Sequence, residues 1–152
     1  MFTKTAEDIT FETVTVKDFN DSIVLFEKIF EAFFNAKIFN FYSNSFQNFT
    51  SKTFNELLKI PHFSKLQSMN LTNIPEVFDI EAFYVYMKKS KTTKFLLQFD
   101  NLISEAYKNR LEEIIDEILS TKVINYKPPF IHFEGLDREK EFRLFAKYFH
   151  YI

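Results

Sequence analysis

The densest run of apolar residues lies between Asn20 and Tyr42, in the sequence NDSIVLFEKIFEAFFNAKIFNFY. When this run is placed on a helix of 3.6 residues per turn, its polar residues fall on one narrow strip: Glu27, Lys28, Glu31 and Asn35. Apolar side chains occupy the rest of the circumference, which is typical of a helix surrounded by other elements. The pattern therefore predicts a buried, Phe-rich central helix.

Shorter patterns predict the elements on either side of this run. Ile9–Val16 is rich in β-branched residues and alternates in part, which is typical of a strand. Capping sequences, prolines and apolar spacing predict helices over residues 53–60, 61–69, 75–89 and 93–120, with a turn at Asn70–Ile74. Within the last helix, Asp100 and Asn101 are the least costly place for a bend, and the alternative is a short strand at Lys94–Phe99.

The carboxyl-terminal part carries the last predicted elements. Val123–Glu134 contains two brief β-like pieces separated by prolines, which we expect to pair with the amino-terminal strand because an isolated strand leaves its backbone groups unpaired. Gly135 and Asp137 mark the start of a final helix, in which Phe142, Phe145 and Phe149 share a face. We found no internal repeat and no linker. The prediction is an α+β, predominantly α-helical fold: a single compact domain over residues 1–152 with a small two- or three-stranded sheet.

The composition argues against several classes of function. The absence of Cys excludes disulfides, thiolate metal sites and Cys nucleophiles, and a single Gly disfavours loops that bind phosphate. A net charge of −2 gives no overall attraction to nucleic acid or to an anionic membrane. The three His residues have no metal-binding spacing, and no catalytic motif is visible. We therefore expect no metal, no cofactor and no membrane span, and we favour a non-enzyme.

Two charged segments are candidate sites. Glu105, Glu112 and Asp116 fall on one line of a helix and form an acidic ridge that could engage a basic partner, although a solvated helix face is the simpler interpretation. Lys88, Lys89, Lys91 and Lys94 form a basic run that could contact phosphates, although Lys at a helix end is also favoured by the helix dipole. Tyr148 and Tyr151 are candidate aromatic anchors for a partner protein.

These features favour a small cytoplasmic protein-interaction module that binds another protein and blocks or neutralises it, as an inhibitor or immunity protein does. The abundance of Phe, Ile, Lys and Asn indicates a low-GC genome, and a mobile element or virus would place the protein in the host cytoplasm. Two alternatives stay open. One is a small enzyme or ligand-binding domain with a site assembled from scattered residues, and the other is a nucleic-acid-binding regulator that uses the basic run. Self-association is also open.

Overall fold

The computed structural model describes residues 5–12, 15–43 and 46–150. Strands and helices alternate along these residues: β1 Asp8–Glu12, α1 Phe26–Glu31, β2 Ile38–Tyr42, α2 Thr53–Leu57, β3 Ser68–Ile74, α3 Ile80–Met87, β4 Lys94–Phe99, α4 Glu105–Ser120, β5 Phe130–His132 and α5 Arg138–His150. Single 3-10 turns lie at Phe46–Asn48 and Phe63–Lys65. Among the described residues, no helix combines the length and apolarity needed to cross a lipid bilayer.

The strands form one parallel sheet in the order in which they occur along the chain, β1-β2-β3-β4-β5. Within the described residues the sheet has five strands, and the chain is 38% helical and 20% strand. The prediction of a predominantly α-helical α+β fold with a two- or three-stranded sheet is therefore wrong, because this is an α/β fold. The predicted pairing of the two chain ends is wrong as well, since β1 and β5 lie at opposite edges.

The segment predicted as one central helix contains two elements. Only α1 is helical, and its Phe26 and Phe30 are fully buried, so this part of the prediction is confirmed. The following residues form β2, whose Phe39 packs against Phe26 and Phe30 with ring centroids 5.7 and 5.2 Å apart. The helix and the strand that it covers therefore supply the two sides of one hydrophobic core.

Three further local predictions are corrected in the same way. The proposed turn at Asn70–Ile74 lies within β3, and the helix proposed over residues 61–69 contains only a 3-10 turn. The helix predicted at Lys94–Phe99 is wrong, and the alternative of a strand there is right. The predicted break at Asp100 is confirmed, because its Oδ1 accepts a hydrogen bond from Leu102 N at 2.7 Å. The final helix is confirmed, with Asp137 Oδ1 accepting from Lys140 N at 3.0 Å at its start.

Each strand begins a new unit of similar length. In the sheet Asp8 is beside Ile38, Ile38 beside Ser68, Ser68 beside Lys94, and Leu96 beside Phe130, so the chain advances by 30, 30, 26 and 34 residues per unit. Parallel strands in sequential order, joined by crossovers of one hand, place their helices on one face of the sheet. The architecture is therefore that of a short strand-and-helix repeat, although the sequence shows no repeat.

Candidate functional site

One face of the sheet is left without a helix layer along most of its width. Along β1–β4, buried residues such as Phe39, Met69 and Phe95 alternate with residues that keep part of their surface accessible, and on β5 Phe130 faces the same way as the second set but is buried. We call the second set the open face: Asp8, Thr10, Glu12, Ile38, Asn40, Tyr42, Ser68, Asn70, Thr72, Lys94, Leu96, Gln98, Phe130 and His132. Helices α1, α3 and α4 pack on the opposite side, against Phe39, Phe95 and Phe99, and the open face is the candidate site.

A ladder of side-chain hydrogen bonds crosses the open face from β1 to β3. Asn70 Nδ2 donates to Asn40 Oδ1 at 2.7 Å, and Asn40 Nδ2 donates to Thr10 Oγ1 at 3.2 Å. The ladder ends at Asn70 Oδ1, a buried atom without a hydrogen-bond partner among the described residues, because the neighbour on β4 is Leu96. The floor of the site is thus polar over β1–β3 and apolar over β4–β5.

Helix α5 forms a wall along the apolar side of this floor. The Phe130 ring lies 5.5 Å from that of Phe145 and 6.2 Å from that of Tyr148, measured between centroids. Lys94 Nζ lies 4.4 Å from the Tyr148 centroid, a cation–π contact. Since Phe130 and Lys94 belong to the open face, α5 reaches over β4 and β5. The opposite side, at β1, has no such wall among the described residues.

The wall exposes three phenyl rings. Phe142, Phe145 and Phe149 are 74%, 44% and 59% exposed, and their spacing places them along one stripe of α5. We call these three residues the Phe stripe. A groove of about 510 Å³ lies between the stripe and β5, and Phe130, Arg138, Glu141, Phe142 and Phe145 line it. The sequence correctly places the three rings on one face, but that face points outward and Leu144 is the fully buried residue of α5.

Of the two predicted aromatic anchors, the structure describes one. Tyr148 is half-buried beside Phe130, and burial raises the pKa of its hydroxyl, with a smaller contribution from Tyr42 on the open face. Tyr148 thus belongs to the candidate site, as part of its wall. Tyr151 lies outside the described residues. The binding role of both remains a prediction.

The predicted acidic ridge is divided between two environments. Glu105 lies at the start of α4 and is 3.7 Å from Lys108 Nζ. Glu112 and Asp116 both contact Lys140 of α5, at 2.6 and 2.8 Å, and these contacts raise the pKa of the Lys140 ammonium, with the larger effect from Asp116. Two of the three carboxylates therefore hold α5 against α4, and a role in partner binding remains a prediction.

The predicted basic run is not one continuous surface. Lys88 ends α3 and lies over the Tyr84 ring at 4.1 Å, and Lys89 and Lys91 are exposed in the following turn. Lys94 belongs to β4 and contacts Tyr148 on the open face. A nucleic-acid-binding role for these four residues stays a prediction. Because Lys94 lies apart on the open face, only Lys88, Lys89 and Lys91 could contact one phosphate backbone together.

The described residues contain no group of three or more His, Asp or Glu side chains arranged to hold a metal ion. His132 Nδ1 lies 3.1 Å from Glu141 Oε1, which is an ion pair when the imidazole is protonated. His62 is buried, with its Nε2 3.0 Å from the Phe30 carbonyl oxygen and its ring stacked on that of Phe30. His62 therefore has a structural partner, whereas His132 Nδ1 makes no hydrogen bond among the described residues.

Sequence reasoning missed the polar half of the site. The available signal was an Asn between two apolar residues, which occurs as Phe39-Asn40-Phe41 and again as Met69-Asn70-Leu71. Comparison of the chain with protein-family models, with curated proteins and with solved structures gave no match. The functional argument therefore depends on the geometry of the open face and of α5.

Proposed function

We propose that the protein is a protein-interaction module that receives a partner protein on its open face, against the Phe stripe. The observation that supports this most is the exposure of Phe142, Phe145 and Phe149 beside a sheet face that lacks a helix layer. Large exposed aromatic side chains grouped on one surface are favoured at protein interfaces. Covering one such side chain contributes about 1.5–3 kcal/mol. Burial of the stripe would therefore supply a large part of a binding free energy.

The architecture supports the same conclusion by analogy. Repeat proteins stack one strand-and-helix unit on the next and use the extended face of their strands for binding. Leucine-rich repeats, for example, have units of about 20–29 residues with one strand each. The units of this chain advance by 26 to 34 residues and leave one strand face open. The analogy concerns architecture alone.

The chemistry of the floor indicates how a partner would be oriented. Polar groups of Asn40 and Asn70 lie over β2 and β3, whereas Leu96 and Phe130 lie over β4 and β5. A partner with apolar side chains directed to the Phe stripe and polar groups directed to β1–β3 would match both halves. We further propose that this binding blocks the activity of the partner, as the binding of an inhibitor or immunity protein does.

The test is affinity capture from the source cell with the full chain as bait, in three forms. The wild type and the control variant Phe19→Ser should retain the same partner at constant stoichiometry, because Phe19 is 97% exposed in a turn outside the site. The double variant Phe142→Ser/Phe149→Ser should lose it. Thermal unfolding checks that all three forms are folded. Equal capture by the double variant would refute the open face as the binding surface.

A further inference from the structure

A second concave surface lies on the other flank of α5, away from the Phe stripe. It is a groove of about 420 Å³ between the last turns of α5 and the segment that joins α4 to β5. Lys122, Ile124 and Pro128 line it from the connecting segment, and Ala146, Lys147 and His150 line it from α5. We call it the basic groove. Among the described residues, its lining combines cationic groups with an aliphatic floor and contains no Asp or Glu.

The charges of this groove are not neutralised within the described part of the chain. Lys122, Lys147 and His150 form no ion pair there, whereas Lys140 on the same helix contacts two carboxylates. Arg143 and Lys147 are separated by one turn of α5, so Arg143 extends the positive stripe. The helix dipole accounts for basic residues in the last turn of a helix. It does not account for Lys122, which comes from a different segment.

We infer that the basic groove binds an acidic peptide segment of a partner protein, with carboxylates near Lys122 and Lys147 and an apolar side chain against Ile124 and Pro128. Charge complementarity supports the first part, because a positive groove on a chain of net charge −2 favours an anionic partner locally. The aliphatic floor supports the second part, because Ile124 is only partly buried and lines the groove together with Pro128.

The surroundings favour a short acidic segment over a nucleic acid. None of the described residues that line the groove is a Phe, Tyr or Trp on which a base could stack, and stacking is the usual way in which single strands are held. A short peptide with a few carboxylates needs no stacking contact, so the groove alone is large enough to bind it.

Fluorescence anisotropy with labelled peptides and the full chain tests the inference. The probe is a short peptide of alternating Glu and Leu, and its matched control alternates Gln and Leu. We expect the acidic peptide to bind the wild type and the Gln peptide to bind much more weakly. The double variant Lys122→Glu/Lys147→Glu should weaken the acidic peptide by about tenfold or more, as expected for the loss of two surface ion pairs. The control variant Lys17→Glu/Lys52→Glu makes the same change of charge elsewhere and should bind like the wild type.

Three results with the peptides would overturn the inference: no binding of the acidic peptide by the wild type, equal binding of the Gln peptide, or equal weakening by the control variant. Tighter binding of an oligothymidylate than of the acidic peptide would also overturn it, in favour of a nucleic acid. The proposal concerns a surface separate from the open face. If the peptide fails while a captured partner still depends on Phe142 and Phe149, the proposed function stands and only the basic groove is refuted.

Discussion

Glu27 offers the sharpest test of the packing, because it is a carboxylate buried between two helices. It lies in α1 with 4% of its surface exposed, and Thr53, which is fully buried at the start of α2, donates its hydroxyl to Glu27 Oε1 at 3.2 Å. The same Thr53 oxygen accepts from Thr50 N at 2.8 Å. No other hydrogen bond to the Glu27 carboxylate occurs among the described residues. The pair therefore fixes α1 against the start of α2.

The variant Thr53→Val keeps the shape of the side chain and removes both hydrogen bonds. A hydrogen bond to a charged group contributes about 1.5–3 kcal/mol, and the variant also leaves a buried carboxylate without its donor. We therefore expect the free energy of unfolding to fall by about 1.5–3 kcal/mol. For a domain of this size the melting temperature should fall by about 2–4 °C for each kcal/mol. Urea unfolding and calorimetry measure the two quantities.

Two further variants decide whether the Glu27–Thr53 contact is the cause. Thr15→Val is the matched control at an exposed position, where substitutions change stability by about 0.5 kcal/mol or less. A double-mutant cycle of Thr53→Val with Glu27→Leu isolates the energy of the pair, because Leu removes the acceptor. A coupling energy near zero, or a loss no larger than that of Thr15→Val, would refute the argument.

Three other predictions concern the core, the charged surface and the ladder. Phe95→Ala should lower the free energy of unfolding by about 3–5 kcal/mol in urea unfolding, because the ring is buried 5.1 Å from that of Phe83 and leaves a cavity. A hydrogen bond from Arg110 lowers the pKa of Glu81, so Arg110→Met should reduce stability at neutral pH but not in acid, below the lowered pKa, where Glu81 is protonated. A loss that persists in acid would contradict this. Asn40→Leu should destabilise more than Asn70→Leu in urea unfolding, because Asn40 bonds on both sides of the ladder.

The error over residues 20–42 has a definite physical origin. A helix with period 3.6 and a strand with period 2 follow each other there, and both bury phenyl rings such as Phe30 and Phe39 in one core. Placed on a single helix, the two periods spread apolar residues over the whole circumference, which resembles a helix buried on all sides. Burial of the first part could be predicted from the sequence. The change of element could not, because the hydrogen bonds of β2 go to β1 and β3, which are distant along the chain.

The candidate site was predictable in part. The position of Tyr148 near the chain end predicts an aromatic anchor, and helical spacing predicts the shared face of Phe142, Phe145 and Phe149. This face points outward because α5 is fixed to the core by another side, on which Leu144 is fully buried. Amphipathic spacing shows that a helix has an apolar side, but not which of two apolar sides meets the core when both exist. Only the tertiary contacts of α5 decide this.

The polar residues that made the strands difficult to predict also make the open face a candidate binding surface. In a parallel sheet covered on both faces, strands are apolar at nearly every position. Here Asn40 and Asn70 occupy equivalent positions of successive units, between buried pairs such as Phe39 and Phe41, and this polar alternation made β3 resemble a turn. An amide on a face that a helix covered would need an internal partner, whereas an amide on an open face can also bond water or another chain. The composition of β2 and β3 therefore fits a part of the sheet face that the described helices leave open, whereas α5 covers the apolar part at β5.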